Sequence, residues 1–218
     1  MQGKIFEGFY KKVVKPILFH FNPELMHDVF LSLGHLLWEL PPLRLLTKKI
    51  FGYENEILHQ TLRWIEFTNP VGLAAWFDKD AHLPKIIGSV GFGFAELWST
   101  TAYPYEWNPS PRAIRLKKDK WLIVNYGLKN KWVDYLIDRF QRIPQNHIPF
   151  SISVAKTNCK ETADTETAIS DYVLSLRKLE DSCTGEMYTI NISCPNTFWW
   201  EPFIDAERLR KLLQWIDT

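Results

Sequence analysis

The sequence contains no hydrophobic run close to the ~20 apolar residues that a membrane-spanning helix requires. Asn22, Glu24, Asp28, His35, Glu39 and two prolines interrupt the most apolar region, near the N-terminus, so the chain is expected to rest on a bilayer or stand clear of one, not to cross it. Neither sign of charge dominates, with 26 Lys and Arg against 25 Asp and Glu in 218 residues. A net charge near zero makes no global field to recruit nucleic acid, and no nucleic-acid partner is expected. Cysteine is sparse too. Cys159, Cys183 and Cys194 are odd in number and lack C-x-x-C spacing, which argues against a disulfide framework or a zinc site and for a reducing compartment. Asn191-Ile192-Ser193 has the form of a glycosylation acceptor, but with no secretory signal the match reads as accidental.

What is there divides into three stretches: an amphipathic helical segment over 1–50, a connector over 51–66, and a domain over 67–218. In the first, Asn22 is a good helix cap and Pro23 suits the first helical position, so a helix should start there. Leu25, Val29, Phe30, Leu33 and Leu37 then recur at helical spacing and build an apolar face. Residues 1–50 carry seven Lys/Arg against four Asp/Glu, with Lys11, Lys12 and Lys15 clustered. That pattern suits an anionic interface, or else a solvated face on helices packed against the rest of the chain.

From residue 67 the texture changes. Apolar strands at Val71–Phe77, Phe94–Thr101, Pro149–Ala155 and Met187–Ser193 alternate with helical patterns, the last of them "DAERLRKLLQWI". Alternation of this kind implies parallel strands joined by right-handed helical crossovers. Each strand runs into polar residues: Asp78-Lys79, Ser99-Thr100-Thr101, Lys156-Thr157-Asn158 and Ser193-Cys194-Pro195-Asn196. Ligands of parallel α/β folds bind beyond the carboxyl ends of strands, so four polar ends in succession mark a candidate site.

Cys194 alone reads as a small buried hydrophobe. Its place after an apolar strand, between Asn191 and Asn196, also suits a proton acceptor if the surroundings favour thiolate. Lys79 reads either as a solvated charge or as a cation placed to neutralise an anionic substrate or a reduced cofactor.

The stretches "NPVGLAAWFDKDA", "FGFAELWSTTAYPYEWNPSPRAIRL", "NYGLKN" and "NISCPNT" resemble, in order and at family-like spacing, the motifs of the dihydroorotate dehydrogenases, FMN-dependent (β/α)8 TIM barrels of pyrimidine biosynthesis. "FYKKVVKPILFHFNPELMHDVF" resembles the helical extension of their membrane-associated, quinone-reducing class. The resemblance implies an α/β barrel of which about the first half is present, lacking the later strands that form the FMN phosphate site. It implies FMN contacts from Ala75, Trp76, Phe77, Asp78, Lys79, Ser99, Ser153 and Asn191. Dihydroorotate would meet Lys79, Asn125, Tyr126, Gly127, Leu128, Asn130, Asn191 and Asn196, with Cys194 as the catalytic base. In the family's reaction a proton leaves C5 of dihydroorotate, hydride leaves C6 for flavin N5, and electrons pass on to an acceptor. The implied location is cytoplasmic, peripheral at the inner membrane face through the N-terminal helices, with no metal.

Three departures from the family pattern matter. Cysteine at 194 is the habit of the soluble class, which uses fumarate or NAD, whereas the quinone class carries serine; the helices, as the device that admits a lipid-soluble quinone, outweigh it. Asn125 stands two residues before Gly127 where the family has three. A noncatalytic membrane- or partner-binding fragment is the alternative from another functional class. Lastly, Trp64, Trp76, Trp98, Trp107, Trp121, Trp132, Trp199 and Trp200, eight of ten tryptophans, fall where the family has glycine. Glycine serves where the backbone takes positive φ or approaches a ligand closely. We read these codons as UGA, decoded as glycine in the source lineage, so that the native product carries glycine there; the alternative is that real tryptophans pack an unusual core.

Overall fold

The computed structural model describes residues 2–143, 148–197 and 203–216. The N-terminal segment begins with α1 (Gln2–Phe9), one π-helical turn (Tyr10–Val14) and α2 (Lys15–Leu18). The wide turn directly precedes Pro16, whose ring and missing N–H do not fit regular α geometry. Helix α3 (Pro23–Glu39) starts as expected: Asn22 Oδ1 accepts the N–H groups of Glu24 at 2.8 Å and Leu25 at 3.3 Å. Helix α4 (Pro41–Phe51) runs across the expected boundary at residue 50. The stretch read as a connector then holds a 3₁₀ turn (Glu56–Leu58) and most of an antiparallel hairpin, β1 (Gln60–Leu62) with β2 (Ile65–Phe67).

The central sheet is parallel, as the alternation implies. After β3 (Gly72–Leu73) come α5 (Pro84–Ile87) and β4 (Phe94–Thr100). A second hairpin of β5 (Ala113–Leu116) and β6 (Trp121–Val124) follows, then α6 (Val133–Gln141), β7 (Phe150–Val154), α7 (Thr165–Asp181), β8 (Met187–Ile190) and α8 (Ala206–Ile216). Strand order is β3-β4-β7-β8, every neighbour parallel. The strand expected over Val71–Phe77 pairs only at Gly72–Leu73, because the chain turns where Phe77 N–H donates to Ala74 O at 3.4 Å. The β5–β6 hairpin, which the alternation does not predict, is an excursion between β4 and α6.

Alternation along β7 explains both the core and the site. Phe150, Ile152 and Val154 point to the helices and, with Ala95 and Leu97 of β4, pack on Ile87, Val133, Ala168, Tyr172, Leu179 and Leu212. Ser151 and Ser153 take the opposite face. Registers pair Ser151 with Met187 and Ser153 with Thr189, and Ser151 Oγ lies 3.0 Å from Thr189 Oγ1. That polar inner face leads toward the carboxyl ends of the strands.

Candidate active site

Three residues meet at the ends of three adjacent strands. Ser99 Oγ lies 2.6 Å from Ser153 Oγ, and Asn191 Nδ2 donates to Ser99 Oγ at 2.8 Å. Asn191 follows Thr189 by two residues, so it shares the inner face of β8 with it. Ser99 arrives there through an irregularity: three steps of β4, from Leu97 to Thr100, match two of β7, from Ile152 to Val154. One extra residue in a strand re-aims a side chain. The backbone of Asn191 is fixed from both sides, its N–H on Val154 O at 2.8 Å and its carbonyl on the Tyr172 hydroxyl at 2.7 Å. Two hydroxyls and an amide on such a rim suit the edge of a planar heteroaromatic ring.

Cys194 lies three residues on and is half-buried. Burial pushes its thiol up, partly offset by the Asn196 N–H and by Lys156. Desolvation is thus the largest influence on the thiol, and it opposes the thiolate. Lys156, buried just past β7, is pushed down by desolvation. It is the titratable neighbour that the reading of motifs passed over, although Lys156-Thr157-Asn158 had marked that strand end. Asp171 of α7 accepts Thr157 N–H at 2.9 Å and its hydroxyl at 2.6 Å, which fixes the turn carrying Lys156.

A second layer lies over the strand ends. Asn108 joins it together: Nδ2 donates to Asn125 Oδ1 at 2.9 Å and to Asn196 O at 3.2 Å, while Oδ1 accepts the Tyr105 hydroxyl at 2.9 Å. Asn196 Nδ2 in turn donates to Val124 O at 3.1 Å. Gly127 has φ of 76°, and its carbonyl accepts Asn158 Nδ2 at 2.8 Å. Asn130 spends its amide inside the loop. Its Oδ1 accepts the N–H of Trp132 at 2.9 Å and its Nδ2 donates to Leu128 O and Thr101 Oγ1, both at 2.8 Å. The structure thus brings Asn125, Gly127, Leu128, Asn130 and Asn196 into one bonded layer. Asn108, which does most of the joining, carried no signal of its own in the sequence.

Lys79 enters this layer from the β3 side. It is buried, with Nζ 3.5 Å from the Tyr126 ring centroid and 4.0 Å from that of Trp107. Burial, then Lys129, push its pKa down to about 7. Aromatic faces attract a cation, and Lys129 and Arg112 also stand over Trp107, each at 4.6 Å. Asp78 spends both oxygens on backbone, accepting His82 N–H at 2.7 Å and Leu83 N–H at 2.8 Å. Phe77 O accepts His27 Nε2 at 2.8 Å, tying α3 to this loop. Ala75 and Trp76 are half-buried beside it. The Trp76 ring sits 5.8 Å from Tyr126, and its Nε1 is buried without a hydrogen-bond partner.

Trp38, which is not one of the eight, belongs to the main core, but the five of the eight whose side chains are described do not. Trp64, Trp121 and Trp132 are exposed, while Trp76 and Trp107 pack on a small cluster of Ala113, Val124 and Tyr126. Trp132 has φ 90° and ψ 167°, a region that belongs essentially to glycine. Trp199, Trp200 and the side chain of Trp98 lie outside the described residues.

Comparison with known proteins agrees with this arrangement. Residues 57–215 match the family model for dihydroorotate dehydrogenase. A dihydroorotate dehydrogenase (quinone) of Thermosynechococcus vestitus is 32% identical over 96% of this chain and 58% of its own length. Those of Chloroflexus aurantiacus and Mycobacterium tuberculosis are 36% and 31% identical, over 94% and 92% of this chain and 56% and 55% of theirs. The ligand-free dihydroorotate dehydrogenase of Eimeria tenella superposes with a TM-score of 0.73 at 26% identity, covering 89% of this chain and 52% of that one. The chain spans little more than half the length of the relatives it matches, and their likeness extends through its N-terminal helices. With four parallel strands ordered as in a TIM barrel and polar residues at their ends, this chain belongs to the dihydroorotate dehydrogenase family.

Proposed function

We propose that this chain carries the first half of the barrel and the reactive rim of an enzyme that oxidises dihydroorotate to orotate in pyrimidine synthesis, with FMN as cofactor and a quinone as final acceptor. The observation that carries the reading is the Ser99, Ser153 and Asn191 constellation, three residues before the thiol of Cys194. Hydroxyl and amide groups there fit the edge of a flavin ring, and the residues of 75–79 lie at the end of the neighbouring strand. Bound FMN would supply the hydride-accepting ring.

The chain's own residues divide the remaining work. Cys194, as thiolate, takes the proton from the substrate carbon. Burial favours the protonated thiol, while Lys156 and the Asn196 N–H favour its charged form. Lys79 neutralises the substrate carboxylate. Asn191 and Asn196 hold the planar amide edges, and the layer of Asn125, Tyr126, Gly127, Leu128 and Asn130 closes over the substrate and excludes water. We assign the exposed apolar residues of α1 to α3 to the inner face of the cytoplasmic membrane, from which a lipid-soluble quinone enters. The stretches 1–50, 51–66 and 67–218 then serve as membrane segment, connector and half barrel, with the connector's β1–β2 hairpin belonging to the barrel side.

Cys194 favours a second reading, a soluble enzyme that reduces fumarate or NAD. The test uses a chain extended to the length of its relatives. A yellow protein that bleaches with dihydroorotate and recovers colour with a ubiquinone or menaquinone analogue supports the proposal; recovery with fumarate alone supports the second reading. Cys194→Ala should slow bleaching by about 10²- to 10⁴-fold with FMN retained. Unchanged bleaching would remove Cys194 from its role, and a colourless protein would leave only a binding fragment.

A further inference from the structure

The β5–β6 hairpin has one face fastened and one face bare. Its register pairs Ile114 with Ile123 and Leu116 with Trp121, and alternation places these four side chains together. All are exposed, from 37% for Leu116 to 71% for Trp121. The opposite face holds the hairpin to the N-terminal helices. Arg115 Nη1 donates to Leu18 O at 3.2 Å and Phe21 O at 2.8 Å, carbonyls at and just beyond the end of α2. Just before the hairpin, Arg112 donates to Glu24 through its backbone N–H at 2.9 Å and through Nε at 2.8 Å. Helices and hairpin are therefore tied as one unit, although the hairpin belongs in sequence to the barrel.

The turn of the hairpin is Lys117-Lys118-Asp119-Lys120. Lys117, Lys120, Lys11 and Lys15 line a groove of about 620 Å³ between hairpin and helix, which Arg115 and Leu122 of the fastened face share with Leu116 and Trp121 of the bare one, and no carboxylate lines it. Phe9, Val13 and Ile17 on the adjoining helix are also exposed. A bare apolar surface edged by cations matches one partner in particular. Acyl chains take up the apolar face while lipid phosphates take up the lysines, each of which is attracted to an anionic surface. An apolar patch of this kind on an otherwise well-packed domain marks an interaction surface.

We propose that the β5–β6 hairpin is a second membrane-contact element, which sets Ile114, Leu116, Trp121 and Ile123 against an anionic phospholipid layer and receives lipid phosphate at Lys117, Lys120, Lys11 and Lys15. This rests on the membrane reading of the N-terminal helices and extends it into the barrel. It holds with tryptophan or glycine at position 121, since three apolar residues and the lysines remain.

The test mixes the 218-residue chain with vesicles of phosphatidylcholine alone or with added phosphatidylglycerol. Lys117→Glu with Lys120→Glu, and separately Ile114→Ser with Ile123→Ser, should each weaken binding to the phosphatidylglycerol vesicles by about tenfold or more. Unchanged circular dichroism would show the fold intact in both. Full binding by both hairpin variants, alongside loss in Ile17→Ser, overturns the inference and leaves the helix reading standing. No binding by the parent chain removes both. A dimer that Ile114→Ser with Ile123→Ser dissolves, with vesicle affinity unchanged, would assign the bare face to a second copy and overturn the proposal.

Discussion

Strand β7 and the N-terminal helical stretch from Tyr10 to Leu18 are both rich in apolar side chains, yet they meet opposite fates. Every residue of β7 is buried. In the helical stretch none is. Apolar content alone therefore does not say where the core lies. In β7, pairing on both sides places the side chains between a helical layer and a polar inner face, so burial is complete. The helices pack lightly on the barrel and leave Val13 and Ile17 bare, which is costly in water unless another surface covers them.

This contrast can be broken at either end. Phe150 is fully buried, and Phe150→Ala should lower stability by about 3–5 kcal/mol in a urea titration, from lost transfer energy and the cavity left behind. A loss under about 1 kcal/mol would mean that the sheet is not the core.

Trp132 tests the loop layer between the two regions. With φ 90° and ψ 167°, Trp132→Gly should stabilise the chain by roughly 1–3 kcal/mol, because only glycine takes that backbone without strain. Under the glycine reading the coding sequence has UGA there and at the other seven positions. UGG codons would reject that reading, and a destabilised variant would show that the indole is held by packing.

A smaller effect should appear at Lys79, whose folded pKa is depressed to about 7 by burial. In the proposed role a bound carboxylate would hold the lysine protonated, whereas the free protein loses that proton as pH rises through 7. Orotate affinity should therefore fall by up to about tenfold per pH unit above 7. Stability moves the other way: the penalty of the buried charge is full below about 7 and fades as pH rises toward the ordinary lysine range, so stability rises where affinity falls. In Lys79→Met the binding profile should be flat, and a retained slope would assign the titration elsewhere.

Least of all should Ile17→Ser disturb the fold. Ile17 is exposed, so its stability should stay within about 0.5 kcal/mol of the parent, while vesicle binding drops. A large loss of stability would mean that the bare helix face is packing after all.

Much of this was legible beforehand. The alternation of apolar strands with helical patterns predicts a parallel sheet, and the Asn22-Pro23 pair predicts where α3 begins. Ser153 and Asn191 were placed by the resemblance, and their meeting rests on the register of β7 with β8. The β5–β6 hairpin is not legible, because "AIRLKKDKWLIV" lies where strand-helix alternation leads one to expect a loop. Nor could Asn108 be found, since its role consists of bonds to residues 17 and 88 positions away.

Local pattern was enough for the order of the four parallel strands and their crossover helices, for the polar residues that end each strand, and for the supply of apolar and cationic side chains near the N-terminus. These follow from local periodicity and residue chemistry, which need no partner. Only the tertiary structure decided that Ser99 turns inward, that Cys194 is raised and Lys79 lowered in pKa, and which apolar residues stay bare. Each depends on what packs alongside: a register between two strands, the depth of burial, and the fastening of the hairpin by Arg112 and Arg115, none of which a single stretch of chain contains.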